Sequence, residues 1–193
     1  MKLSKSLILL TLMLSTGLAN ADDMATKIAE KGERFLESLQ KEINFTELLS
    51  KSNSMYSAGA TRTATAVPAD IAQKDKQWID WKKNGGNKEA FITEVLESAC
   101  SKTVQQLSAR KNYITEVFIM DKMGATICAS PATSDYDQGD EAKWQEPFLN
   151  GKTPFIGKTE KDESTGVTQG QVSYLLKNAG QNIGVITIGL KSK

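Results

Sequence analysis

Val117–Trp144, VFIMDKMGATICASPATSDYDQGDEAKW, decides how this chain is read. Val117 to Met120 is a run of apolar and strand-forming residues. Asp121-Lys122-Met123-Gly124 is a turn in which Gly supplies a left-handed backbone, and Ala125 to Ser130 returns as a second strand. The segment after this hairpin is an insert that concentrates Asp135, Asp137, Asp140 and Glu141 around Tyr136 and Trp144. Such a mixture can hold an amine by charge while ring faces add cation–π attraction. The same residues also suit a plainer role, in which Asp140 and Glu141 favour the positive end of a short helix from Asp140 to Leu149 and Trp144 packs on the sheet.

Upstream of the hairpin the apolar period is helical. Ile28, Phe35, Leu36, Leu39, Ile43, Leu48 and Leu49 predict one long amphipathic helix from Met24 to about Ser52. The Ala/Thr-rich stretch from Ser57 to Val67 reads as a connector ending at Pro68, which suits the first turn of a second helix carrying Trp78 and Trp81 and stopping at Asn84-Gly85-Gly86. Asn87 reads as the cap of a third helix running to about Arg110, with Phe91, Val95, Leu96, Cys100, Val104 and Leu107 inward. After Asn112 the period becomes strand-like. Tyr113–Asp121, Ala125–Ser130, Pro154–Lys161, Gly166–Lys177 and Asn182–Lys191 predict a five-stranded antiparallel sheet, and helices followed by strands make an α+β fold.

With the hairpin and insert in hand, the chain resembles the PAS-like sensor fold called PDC or Cache. In that family a strand ending in Asp-x-x-Gly opens the sheet, a long N-terminal helix crosses one face, and a helix-bearing insert closes over a small-molecule pocket. The resemblance covers most of the chain after residue 21, and Ser134–Trp144 is its most specific part. It implies a ligand sensor reporting to a membrane-bound kinase, cyclase or chemoreceptor, with an amine, an amino acid or a small carboxylate as the ligand. Amino-acid-binding members use an aromatic and arginine motif on a helix. Trp78 and Trp81 are suitably placed, but none of Arg34, Arg62 and Arg110 accompanies them, and packing is the preferred role for the two indoles.

Along the last two strands Gln169, Gln171 and Ser173 alternate with Gly170, Val172 and Tyr174, and Thr187 and Gly189 alternate with Ile186 and Ile188. One sheet face is therefore polar or small. In the sensor reading Gln171, Ser173 and Thr187 orient the ligand from that face, Asp135 meets its amine, and Tyr136 and Trp144 form the lid. A face open to solvent is the alternative.

Composition narrows the functional classes. Lys2 and Lys5, the apolar run from Leu7 to Leu18 and the triplet Ala19-Asn20-Ala21 predict a leader over residues 1–21, cleaved after Ala21, with a single periplasmic domain over 22–193. Without those two lysines the 24 basic residues become 22 against 23 acidic ones, a formal charge of −1, which argues against nucleic acid as a partner. The chain has no His, so neither Ser-His-Asp nor Cys-His catalysis can be built, and it is read as a non-enzyme without a cofactor. The weakest alternative is an envelope hydrolase using Asp135, Asp137 or Glu141. Asp135, Asp137 and Glu146 match the first, third and twelfth places of a calcium loop, but Gly139 and Asp140 break that pattern, so no metal is expected. Cys100 and Cys128 are the only cysteines and predict either a disulfide between the third helix and the second strand or two buried thiols. If Cys128 faces that helix, strand alternation predicts the same face for Thr126 and Ser130.

Overall fold

The computed structural model describes residues 16–57, 60, 62–63, 66–161 and 168–191. Residues 1–15, which hold most of the expected leader, lie outside them. Among the described residues no helix is long and apolar enough to cross a membrane.

The first helix, α1 (Thr16–Gln40), buries Ile28, Phe35 and Leu39 as one stripe on the sheet. Gly32 lies in that stripe for a steric reason. A Cβ there would collide with Val172 Cγ1 and stand 2.7 Å from the Tyr174 hydroxyl, so glycine lets the helix close on the sheet. The Tyr174 hydroxyl then donates to Ala29 O at 2.8 Å.

The helix expected to run on to Ser52 is instead broken. After Gln40 the chain turns, and Asn44 caps a separate α2 (Phe45–Ser54) by accepting from Glu47 N at 3.2 Å. A short amide side chain that satisfies a free helix donor favours starting a new helix there. The break was hidden from the apolar period because Phe35 and Leu39 before it and Phe45 and Leu49 after it feed one cluster.

Next come α3 (Ala69–Ile79), which ends in a π-turn over Asp80–Asn84, then α4 (Ala90–Leu96) and α5 (Ala99–Ala109). The expected third helix is thus two, and Asn87 is not its cap, since Glu89 holds that position. Ser98 makes the division. Its hydroxyl donates to Val95 O at 3.0 Å, closing α4, and accepts from Ser101 N at 3.0 Å, opening α5.

The strands are β1 (Ile114–Asp121), β2 (Thr126–Ser130), β3 (Phe155–Ile156), β4 (Glu160–Lys161), β5 (Thr168–Asn178) and β6 (Gln181–Lys191), with α6 (Ala142–Phe148) between β2 and β3. Their order is β2-β1-β6-β5-β3, with β4 also pairing β5, and every pairing is antiparallel. The expected third strand is split into β3 and β4, both on the β5 edge. Gly157 between them still donates to Gln171 O at 2.9 Å. One sheet face, with Val117, Ile119, Cys128, Val172, Ile186 and Ile188, packs in the cluster that α1, α2 and α5 complete. The other carries Phe118, Met120, Ala129 and Val185 under α6. This is an α+β arrangement with a long helix across one face of an antiparallel sheet, as the resemblance implied.

A disulfide joins Cys100 in α5 to Cys128 in β2. Closing a loop with a sequence separation of 28 residues stabilises by about 3.6 kcal/mol in the chain-entropy account. Strand alternation around Cys128 is corrected by a bulge. Ile119 pairs Cys128 but Met120 pairs Thr126, leaving Ile127 as an extra residue. Ser130, opposite Val117, keeps the Cys128 face, whereas Thr126 moves to the face of Met120.

Candidate functional site

The face beneath α6 is a set of rows across β1, β6 and β5. Met120, Val185 and Leu175 form an apolar row, Phe118, Thr187 and Ser173 a mixed one, and Glu116, Gly189 and Gln171 a polar one. Each step along the strands thus makes the face more polar. The insert covers the apolar end. Trp144 is 0% exposed, stacks on Phe148 with ring centroids 4.8 Å apart, and donates Nε1–H to Asp121 O at 3.1 Å. In the middle row the hydroxyls of Ser173 and Thr187, both buried, bond each other at 2.9 Å. At the polar end Gln171 donates to Glu116 Oε1 at 2.7 Å. Gly189 lies between them because a Cβ would stand 2.5 Å from Glu116 Cγ. A cleft of about 300 Å³ opens here, lined by Thr115, Glu116, Lys158 and Gln171. Gln171, Ser173, Thr187 and Trp144 therefore share one face, but Trp144 lies in the core two rows from Gln171.

The part of the insert before α6 pairs with the start of β2, where Thr126 N donates to Tyr136 O and Gln138 N to Gly124 O, both at 2.9 Å. The backbone N–H groups of Tyr136 and Asp137 donate to Asp75 Oδ1 of α3 at 2.9 and 3.0 Å. The Tyr136 ring then packs against Trp78 and Phe91, with centroids 5.9 and 5.4 Å away. Trp78 is fully buried and donates to Thr133 O at 3.1 Å, the packing role preferred for it. Asp137 pairs with Arg62, a residue that sequence reasoning had only counted among three arginines. Arg62 Nη2 is 2.8 Å from Asp137 Oδ2, Nη1 bonds Oδ1, and Nη1 also donates to Met123 O at 3.0 Å. A lone arginine in an Ala/Thr-rich connector was the only available signal. Among the described residues no group of three His, Cys, Asp or Glu is placed to hold a metal ion.

Asp135 is half-buried and accepts from Gln138 Nε2. Burial first, then Glu141 and Asp75, push its carboxyl up from 3.8 to about 6. The folded state therefore holds this proton more tightly than the unfolded chain. The resulting stability is complete below about pH 4 and is lost as pH rises through about 6. Melting temperatures should fall across that window in the native protein and fall less in Asp135→Asn, an effect on the order of 1 kcal/mol after solvent screening. Parallel melting curves for the two proteins from pH 4 to 7 would remove Asp135 as the cause.

A second cleft, again of about 300 Å³, lies between α2, α3, α4 and β2. Leu48, Met55, Phe91, Val95 and Ile127 give it apolar walls, while Lys51, Lys74, Glu94 and Tyr136 supply polar groups. Lys74 Nζ stands 5.8 Å from the centroids of both Phe91 and Tyr136. Ser52, also on the lining, donates its hydroxyl to Asp121 Oδ2. Asp121 Oδ1 accepts from Met123 N at 2.8 Å and Ala125 N at 3.0 Å, and Gly124 completes the turn at φ 84°. The Asp-x-x-Gly motif is thus a carboxylate-braced hairpin with one oxygen tied to α2. Burial raises the Asp121 pKa against the opposing pull of Ser52 and the two backbone donors. Of the residues expected to touch ligand, Tyr136 lines this cleft and Gln171 lines the other.

No family model matches the chain, and no curated protein matches it. Among solved structures it is similar to the ligand-binding domain of the Pseudomonas aeruginosa PAO1 amino acid chemoreceptor PctC, in complex with GABA. The identity is 15% over 92% of this chain and 61% of that one, with a TM-score of 0.36. It is similar to the sensory domain of the Campylobacter jejuni chemoreceptor Tlp3 with isoleucine bound, at 16% identity over 91% and 60%, TM-score 0.39. It is also similar to the sensor domain of the V. cholerae histidine kinase DctB, at 12% identity over 81% and 57%, TM-score 0.33. The chain spans about three fifths of the length of each of these.

Proposed function

We propose that this chain is an exported sensor module that binds a small molecule in the cleft between α2, α3, α4 and β2 and relays occupancy to a membrane-bound kinase, cyclase or chemoreceptor. The observation that carries the reading is the lining of that cleft, where apolar walls and the Phe91–Tyr136 ring pair, 5.4 Å between centroids, surround a few convergent charges. Sites for small molecules share this composition. Lys74 and Lys51 suit a carboxylate and Glu94 an amine, so an amino acid or a small carboxylate fits the set better than a simple amine. The relay has a physical route. Ser52 both faces the cleft and bonds the carboxylate that braces the β1–β2 hairpin, so a ligand that displaces α2 loads that bond. A ligand shifts such an equilibrium only by its difference in affinity for the two states.

The alternative is an adaptor that works by protein contact alone. It is favoured by the closed packing of Trp144 and Arg62, both fully buried, beneath the insert. A thermal-shift screen of amines, amino acids and short carboxylates separates the two readings. At 100 times Kd a sensor ligand stabilises by about 2.7 kcal/mol, a rise of roughly 5–10 °C for a domain of this size. Phe91→Ala should abolish that rise, because it removes one wall of the cleft. No rise with any compound, or an equal rise in Phe91→Ala, would leave the adaptor reading or move the site.

A further inference from the structure

Arg62 is 1% exposed although it belongs to the connector between α2 and α3. A desolvated guanidinium is tolerated only where its charge and donors are met. Its partners come from elsewhere in the chain. Asp137 takes it with both carboxylate oxygens, Met123 O accepts at 3.0 Å, and the Trp144 ring centroid lies 6.0 Å from Cζ. Beneath it is bare backbone. A Cβ at Gly139 would stand 2.5–2.7 Å from Nη1, Cζ and Nε, and a Cβ at Gly124 would run into Gly139. Two adjoining glycines thus make room for a flat group. Among the described residues Nε, the nitrogen that carries the alkyl stem, has no partner.

A carboxylate meeting two donors, a backbone floor and an indole face match the planarity and donor fork of a guanidinium and not the compact charge of an ammonium. The slot is complete without the connector, since Met123, Gly124, Asp137, Gly139 and Trp144 all belong to the β1–β2 hairpin and the insert. We propose that it is a guanidinium-binding site that the chain fills with its own Arg62. Free alkylguanidines such as agmatine or methylguanidinium are the class of ligand that enters it once that side chain is gone. A tethered occupant acts at an effective concentration on the order of millimolar, so the native protein leaves micromolar agmatine unbound. The proposal stands independently of the cleft between α2, α3 and α4.

The test is Arg62→Ala, followed by thermal melting and calorimetry with agmatine, methylguanidinium, putrescine and N-methylurea at matched ionic strength. Agmatine and methylguanidinium should raise the melting temperature of the variant by several degrees, leave the native protein unmoved, and lose their effect when Asp137→Asn is added. No rise in the folded variant overturns the proposal, as does an equal rise with putrescine, which carries charge without the planar fork. Should Arg62→Ala fail to fold, it is refolded with each compound. Recovery with the guanidines alone supports the site, and recovery with none or with all of them overturns it.

Discussion

Trp144→Ala should lower the unfolding free energy by about 3–5 kcal/mol, the range for deleting a large aromatic side chain from a packed interior. The indole is 0% exposed and packs with Phe118, Met120, Ala129 and Val185, so its loss leaves a void that the sheet cannot fill. Two further losses accompany it. Phe148 loses a ring stacked at an interplanar angle of 14°, and Asp121 O loses the donor at 3.1 Å. Denaturant unfolding checks this through a lower midpoint with an unchanged slope. A cost below about 1 kcal/mol would show a removable lid and would return Trp144 to the ligand.

Asp137→Ala should cost a similar amount, about 3–5 kcal/mol, for an electrostatic reason. The substitution strands the Arg62 guanidinium, 0% exposed at its side chain, without its counter-charge. Adding Arg62→Ala should therefore give back part of the loss, since an interior with neither charge is cheaper than one with a single unpaired charge. Losses that simply add in the double variant would mean that the two residues act separately, against their 2.8 Å contact.

The kinds of element were legible in the sequence, and the places where they break were less so. Helical spacing through Leu39 and Leu49, and alternation through β5 and β6, picked out the members of the large cluster, but alternation did not report that Ser173 and Thr187 on the opposite face are buried as well. Asn44 escaped notice because both helices it separates feed that same cluster. Ser98 is a different case, for it turns the chain from a cluster containing Ile92 and Val95 to one containing Cys100 and Val104, and its own side chain is the only local sign. In the candidate site, Tyr136 and Trp144 were recognisable as the aromatics of the insert. Their divergence was not, since the chain crosses at Gly139 from the α3–α4 side to the sheet, and a glycine there is explained only by a guanidinium from a residue 75 positions distant in sequence from Asp137. Burial periodicity carries information within one element, whereas such a pairing depends on where separate segments meet.

Ile127, the residue that the bulge adds to β2, packs against both the large cluster on α1 and the cluster around Trp78, while Leu96 packs against both the Trp78 cluster and the one around Trp144. Among the described residues the interior is thus three pools of side chains chained together through single shared members. Partial melting of the α3–α4 region has to withdraw contacts from the other two, which ties local opening to the cooperative loss of the whole domain. An extra residue in an edge ladder, a defect when judged by hydrogen bonding alone, becomes one of the joints that make the molecule respond as a single thermodynamic unit.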